Sequence, residues 1–281
     1  MSAPAVRPRV GVVKFASCDG CQLQLLDLED ELLAVCQQFE IIEFAEAQSS
    51  RSEGPFDVLF VEGSVSAPEH LPRIVELRQQ TRFLVTIGAC ATSGGIQALR
   101  NWGDHEAFRA AVYAQPEFIA SLATSTPIAD HVAVDAELRG CPIDPRQLVE
   151  LLTALTTGRR PQLRDEAVCM ECKRGGNTCV MVTRHTPCLG QVTQAGCGAI
   201  CPRFGRGCYG CFGPREQANV KSLAEFLQTR ARMSSADIGR LFAGFSAHAE
   251  PFRGLVSQYG GAPPKTPAPA AEAAVGAGGG R

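Results

Sequence analysis

Between residues 9 and 160, short apolar runs alternate with longer stretches in which apolar side chains recur every three or four positions. Arg9–Ala16 (RVGVVKFA) is a β-branched run of strand length that stops at Ser17-Cys18-Asp19-Gly20-Cys21. Beyond it Leu25, Leu28, Leu32, Val35 and Phe39 fall three and four apart, which predicts one helix with an apolar stripe. Asp27, Glu29, Asp30 and Glu31 lie mostly off that stripe as a wet face. Glu40–Ala45 and Asp57–Val61 read as strands, the second almost wholly apolar, as a parallel strand covered on both faces should be. A helix is predicted over Pro68–Gln80 and a strand over Arg82–Ile87, ending on Gly88-Ala89-Cys90. A weak strand over His131–Asp135 precedes Gly140-Cys141-Pro142, and a helix follows over Pro145–Thr156.

Such alternation predicts an α/β fold, a doubly wound parallel sheet with right-handed crossovers and helices on both faces. Ligands of such sheets sit outside the carboxyl ends of the strands. Cys18 and Cys21, Cys90 and Cys141 each follow a predicted strand, so four thiols, most of them distant in sequence, should meet at one edge of the sheet.

Residues 161–258 follow a different pattern. Asp165–Phe212 has little periodicity, many Gly and Cys and almost no long apolar run, so cofactors in place of packing are expected to hold it. Short helices are predicted at Val220–Leu227 and Ser235–Phe242. The chain then divides into residues 1–160, a sheet domain; 161–258, a loop-rich domain; and 259–281, a Pro/Ala/Gly tail too poor in apolar residues to fold.

Charge narrows the partners. With 27 Lys and Arg against 29 Asp and Glu the net charge is −2, which supplies no basic footprint for a nucleic acid. No stretch reaches the ~18 apolar residues of a membrane span. Met1–Pro8 has no apolar core and no twin-arginine pair, so no export leader is expected and the chain is placed in the cytoplasm.

The 13 cysteines are the compositional outlier. An odd number in a long chain kept in a reducing compartment fits metal or redox chemistry better than a disulfide framework. Cys18-x2-Cys21 alone could be a thioredoxin-like pair, but that leaves Cys90 and Cys141 unused. The glycine-rich Gly88–Gly95 segment could be a phosphate loop, but it lacks the lysine of that pattern. Eight more thiols, Cys169, Cys172, Cys179, Cys188, Cys197, Cys201, Cys208 and Cys211, make two further sets of four. Four-thiolate zinc uses similar pairs. Iron–sulfur ligation accounts for all twelve and suits the Cys201-Pro202 step, which also ends bacterial ferredoxin runs. Three clusters in one chain serve a one-electron relay. Cys36 is left as a buried structural thiol. His70, His105, His131, His185 and His248 show no paired ligand spacing.

Over roughly residues 9–215 the chain resembles the small, electron-transferring subunit of nickel–iron hydrogenases. The carriers are Ser17-Cys18-Asp19-Gly20-Cys21, Gly88-Ala-Cys90-Ala-Thr-Ser-Gly-Gly95, Gly140-Cys141-Pro142 and Gly207-Cys208-Tyr-Gly-Cys211. The resemblance implies a flavodoxin-like first domain. It implies a proximal 4Fe–4S cluster on Cys18, Cys21, Cys90 and Cys141, a distal one on Cys169, Cys172, Cys179 and Cys188, and a medial one on Cys197, Cys201, Cys208 and Cys211. Respiratory members of the family usually carry a histidine at the position of Cys169, often a proline at that of Cys201, a Glu at that of Ser17, and a twin-arginine leader. These departures resemble the cytoplasmic, bidirectional branch, and the length resembles the three-cluster type of the sulfhydrogenase delta subunits.

The partners so implied are a nickel–iron large subunit that activates H2 and flavin/iron–sulfur subunits that reduce NAD(P). The catalytic metal site would lie on the large subunit, with no catalytic residue in this chain. A deazaflavin- or heterodisulfide-reductase-linked complex suits the same residues. A quinone-linked relative of respiratory complex I would carry adjacent cysteines at the first motif, unlike Cys18-x2-Cys21. A zinc-stabilised interaction module is the rival from a different class.

Overall fold

In the computed structural model, which describes residues 7–49, 51–52, 54–260 and 264–265, the apolar runs assemble into a sheet of five parallel strands. In chain order the elements are β1 (Arg9–Lys14), α1 (Gly20–Leu26), α2 (Asp30–Gln38), β2 (Glu40–Phe44), β3 (Phe56–Glu62), α3 (His70–Gln79), β4 (Thr81–Ile87), α4 (Gly88–Ser93), α5 (His105–Val112), β5 (Ala136–Leu138) and α6 (Pro145–Thr157). Then come α7 (Val168–Arg174), α8 (Val180–Arg184), α9 (Ile200–Arg203), α10 (Val220–Thr229), α11 (Ser235–Phe242) and α12 (Phe252–Gly260). The strand order β2-β1-β3-β4-β5 is the flavodoxin-like doubly wound order, with its switch point between β1 and β3.

Side-chain alternation explains the two covered faces. Val58 and Phe60 of β3 pack with Val10, Val12, Leu25, Leu28, Leu148, Leu151 and Leu152 on the face of α1, α2 and α6. Leu59 and Val61 point the other way, into Val13, Leu71, Ile74, Leu84 and Ala91 beneath α3 and α4. Gly11 lets β1 lie against that second layer, since a Cβ there would collide with the Phe56 ring.

Several expectations change in detail. The single helix expected over the Leu25–Phe39 stripe is two, α1 and α2. The chain breaks at Asp27–Glu29, where Glu29 takes a left-handed φ of 48°. Leu25, Leu28 and Phe39 are buried as the stripe required, while the side chains of Leu32 and Val35 lie outside the described residues. The last strand forms at Ala136–Leu138, after the expected His131–Asp135, because Asp135 starts the pairing with β4: its N–H donates to Leu84 O (2.9 Å) and its carboxylate accepts from Leu84 N (2.8 Å). Cys36 is only partly buried, so it is no core thiol. Neither α5 nor α12 stood out in the apolar pattern.

Beyond α6, packing contributes more than the composition of 165–212 suggested. Leu189 and Val192 join Val220, Leu223, Leu227, Ile238, Phe242, Phe252, Leu255 and Val256 in a core enclosed by α10, α11 and α12. The cysteine-bearing loops themselves have a much smaller cluster, Val168, Val180 and Ala199 with Cys188 and Cys208. Of the expected tail, Tyr259 and Gly260 end α12 and the Lys265 N–H donates to Asn101 O (2.8 Å); residues 261–263 and 266–281 lie outside the described residues. Among the described residues no helix is long and apolar enough to cross a membrane.

Candidate functional site

The carboxyl edge of the sheet gathers the first four thiols. Cys18 and Cys21 sit in the turn from β1 into α1, Cys90 on α4 directly after β4, and Cys141 after β5. The turn is held by Asp19, in the left-handed region at φ 67°, whose carboxylate accepts from Lys14 Nζ (2.5 Å) and Ser17 Oγ (3.1 Å). Glu62, the last residue of β3 and 2% exposed, accepts from the Cys21 N–H (3.0 Å) and from Gln22 Nε2 (2.7 Å). A buried carboxylate so bonded pins the first turn of α1 to the sheet. Gln97 supports the other side. Its Nε2 donates to Ala16 O and Ser64 Oγ (both 2.9 Å), and its Oε1 accepts from Cys90 Sγ (3.7 Å).

Glycine is required where the backbone crowds these sulfurs. Gly88 has φ 83° and a Cβ there would strike Cys21 Sγ; Gly95 has φ 68° and a Cβ would come within 2.7 Å of Cys90 Sγ. The four thiols are electrostatic neighbours. Burial pushes Cys90 up to about 11, with Cys141 and Cys18 adding to the rise. Burial also raises Cys21, with Glu62, Cys90 and Cys141 contributing, and raises Cys141, with Cys18 and Glu62 contributing.

A second group forms on α7 and the loops around α8. Cys169 is pushed up to about 11 by burial, with Cys188, Cys172 and Cys179 adding and Lys173 opposing. Cys172 is raised by burial, then by Cys188 and Cys179. Cys188 Sγ accepts N–H bonds from Cys208 (3.1 Å) and Gly190 (3.4 Å), the amide-to-sulfur contacts that stabilise a thiolate.

The third group surrounds α9. Burial pushes Cys211 up to about 12, with Cys197, Cys141 and Cys201 adding, and the backbone N–H of Cys141 acting in the opposite sense. Cys208 is raised by burial while accepting from Gly210 N (3.5 Å), and Cys197 is raised by burial and by Glu171 and Cys201. The groups adjoin one another: Cys141 of the first neighbours Cys211 of the third, and Cys188 of the second neighbours both Cys201 and Cys208.

The twelve thiols adjoin one another in series, and Cys188, beside Cys169 and Cys172 on one side and Cys201 and Cys208 on the other, joins two of the groups. Among the described residues no three His, Cys, Asp or Glu side chains close on a point as ligands of a single ion. All-sulfur donor sets, buried thiols that metal ligation would ionise, amides aimed at sulfur and glycines with no room for a Cβ together fit iron–sulfur clusters. The residues missed in the sequence were Glu62 and Gln97. Glu62 carried a signal, being the one carboxylate to end the buried run Val58–Val61; Gln97 carried none. His70, His105, His131 and His248 make structural hydrogen bonds, and His185 is exposed.

Residues 18–155 match the family model described as NADH ubiquinone oxidoreductase, 20 Kd subunit. The chain is 37% identical over 220 residues to Sulfhydrogenase 2 subunit delta of Pyrococcus furiosus, spanning 78% of this chain and 92% of that protein. It is 33% identical over 243 residues to a subunit of the F420-non-reducing hydrogenase of Methanocaldococcus jannaschii, spanning 75% and 83% of the two chains. Among solved structures, a chain of an NAD+-reducing [NiFe]-hydrogenase in the H2-reduced state is similar, with TM-score 0.52 and 27% identity over 56% of this chain and 96% of that one.

Proposed function

This chain belongs to the family of hydrogenase electron-transfer small subunits that includes the sulfhydrogenase delta subunit, and on that footing we propose that it carries electrons through three 4Fe–4S clusters. The clusters would be held as the three groups divide: Cys18, Cys21, Cys90 and Cys141; Cys197, Cys201, Cys208 and Cys211; and Cys169, Cys172, Cys179 and Cys188. A bound cluster of this kind supplies reversible one-electron storage at a potential set by exposure, charge and hydrogen bonds to sulfur. The order of transfer is proximal, medial, distal. The observation that supports it is the adjacency of Cys141 to Cys211 and of Cys188 to Cys208, which leaves the middle group touching both others.

This chain's residues hold and tune. Glu62 and Gln97 fix Cys21 and Cys90, and the Cys208 and Gly190 amides stabilise negative charge on Cys188. A boundary near residue 160 separates the sheet domain from the cluster loops and the α10–α12 core. The partners are a nickel–iron large subunit docked over the proximal group and, beyond the distal group, a flavin subunit reducing NAD(P), in the cytoplasm. A reductase linked to another two-electron carrier is the second reading, favoured by the likeness to an F420-non-reducing hydrogenase subunit.

Iron and sulfide analysis of the purified complex tests the relay. About 12 irons are expected from this chain beyond those of its partners, with no three-iron EPR signal on oxidation. Zinc in place of iron would defeat the proposal, and a three-iron signal would defeat the role of Cys201 alone. Identification of the co-purifying chains decides between the two reductase readings.

A further inference from the structure

The charge of the chain is unevenly placed. Between Glu171 and Glu216 there is no Asp or Glu at all, while the same stretch carries Lys173, Arg174, Arg184, Arg203, Arg206 and Arg215. The remainder of the chain holds 21 Lys and Arg against 29 Asp and Glu, so a +6 segment sits in a molecule of net charge −2. Only Arg174 of the six forms an ion pair among the described residues, to Glu166.

The fold brings two of these charges, Arg184 and Arg203, to one place. The segment 176–184, which ends in α8, and the end of α9 line a common groove of about 520 Å³, with Thr178, Val180, Arg184, Pro202, Arg203 and Gly205 among its walls. Arg184 Nη1 donates to Gly205 O (3.3 Å), which ties the two segments. Exposed Cys179 lies beside Thr178 and Val180 at this groove. Two large apolar side chains stand out of the same segments, Val182 and Phe204, each 74% exposed. An apolar centre beside unpaired arginines is the composition of a protein-docking surface.

We propose that this basic face beside Cys179 docks a redox protein whose complementary face is acidic. The inference rests on the relay reading and adds the chemistry of the partner. Electrostatic complementarity of this kind sets on-rate and orientation more than affinity, and it is screened by salt. The one-electron step is an outer-sphere transfer from the distal cluster to the partner's own centre: the cluster is oxidised, the partner reduced, and no bond or proton changes hands.

The test uses the purified hydrogenase complex carrying either the native chain or Arg184→Glu/Arg203→Glu, with Arg203→Gln as the milder variant. H2-driven reduction of an acidic 2Fe–2S ferredoxin and of methyl viologen is measured, with the subunit content of each preparation, between ~0.01 and ~1 M salt, over which the Debye length falls from ~30 to ~3 Å. The double variant is expected to lose about tenfold or more in kcat/KM for ferredoxin and most of its salt dependence, with viologen reduction unchanged. Where an acidic reductase subunit already covers the face, the same variant is expected to release that subunit. Native ferredoxin kinetics and full subunit content in an iron-replete variant would overturn the docking proposal while leaving the relay intact. A charge-sensitive affinity for single-stranded RNA with unaltered ferredoxin kinetics would reassign the face to nucleic acid. A complex lacking iron–sulfur in this chain would instead overturn the relay.

Discussion

Glu62 is a carboxylate buried at the end of a hydrophobic strand, and two donors justify its burial. Glu62→Gln keeps the shape but sets an NH2 group against one of those donors. Leaving a buried donor unmet costs about 1–3 kcal/mol, so a fall in denaturation midpoint is expected together with weaker retention of the first cluster's iron. Gly88→Ala should act more locally. A Cβ there strikes Cys21 Sγ, and the expected result is loss of about one third of the chain's iron with the other eight thiols still loaded. The thiols also define a pH dependence for the metal-free chain. Cys90 and Cys169 lie near 11 and Cys211 near 12, against an ordinary value of 9.0. Above pH 9 the unfolded chain ionises first and releases more protons, so stability present below pH 9 is lost as pH rises toward 11 and 12. Thermal melts of the apo-chain across that window should show the fall. The cluster-loaded chain should not, because its thiols are already ionised by iron.

At the scale of elements, the sheet accepts its helices through strict alternation, and the interruption between α1 and α2 is where local propensity yields. Glu29 holds a left-handed φ that costs a non-glycine residue roughly 1–2 kcal/mol, part of which a glycine would return against its larger unfolded-state entropy. Glu29→Gly is therefore expected to be neutral or to stabilise by up to about 1 kcal/mol, read from chemical denaturation. The helices α7, α8 and α9 are short and lean on few apolar residues, two of which are themselves cysteines. Their order should depend on metal. After iron removal, limited proteolysis is expected to cut first within residues 173–186, while the strands and α10–α12 persist.

Across the whole molecule, apolar cores cover both faces of the sheet and a third lies within α10–α12, and charge is sorted along the sequence, with Arg184 and Arg203 of the acid-free stretch meeting at the groove beside Cys179. The near-neutral total concealed this sorting. The net −2 of the entire chain says nothing about a 44-residue window with no acidic side chain.

The residues alone determined a good deal. The near-continuous apolar runs of β1, β3 and β4, alternating with helical stretches, specify a doubly wound parallel sheet, because strands covered on both faces need apolar residues at almost every position. Strand-end positions gathered Cys18, Cys21, Cys90 and Cys141 at one edge of the sheet, and the density of the eight cysteines from Cys169 to Cys211 marked the second region; the division into fours came from the family resemblance. What only the tertiary structure decided involves long sequence separations. Glu62 reaches Cys21 from 41 positions away, and Gln97 reaches Ala16 from 81. Such contacts have no periodic signature, and the break at Glu29, the displaced β5 and the partial exposure of Cys36 likewise follow from how whole layers pack. The groove at Arg184 and Arg203 is of the same kind. Its charges were visible in the sequence, but their meeting beside Cys179 depends on the packing of α8 against the end of α9.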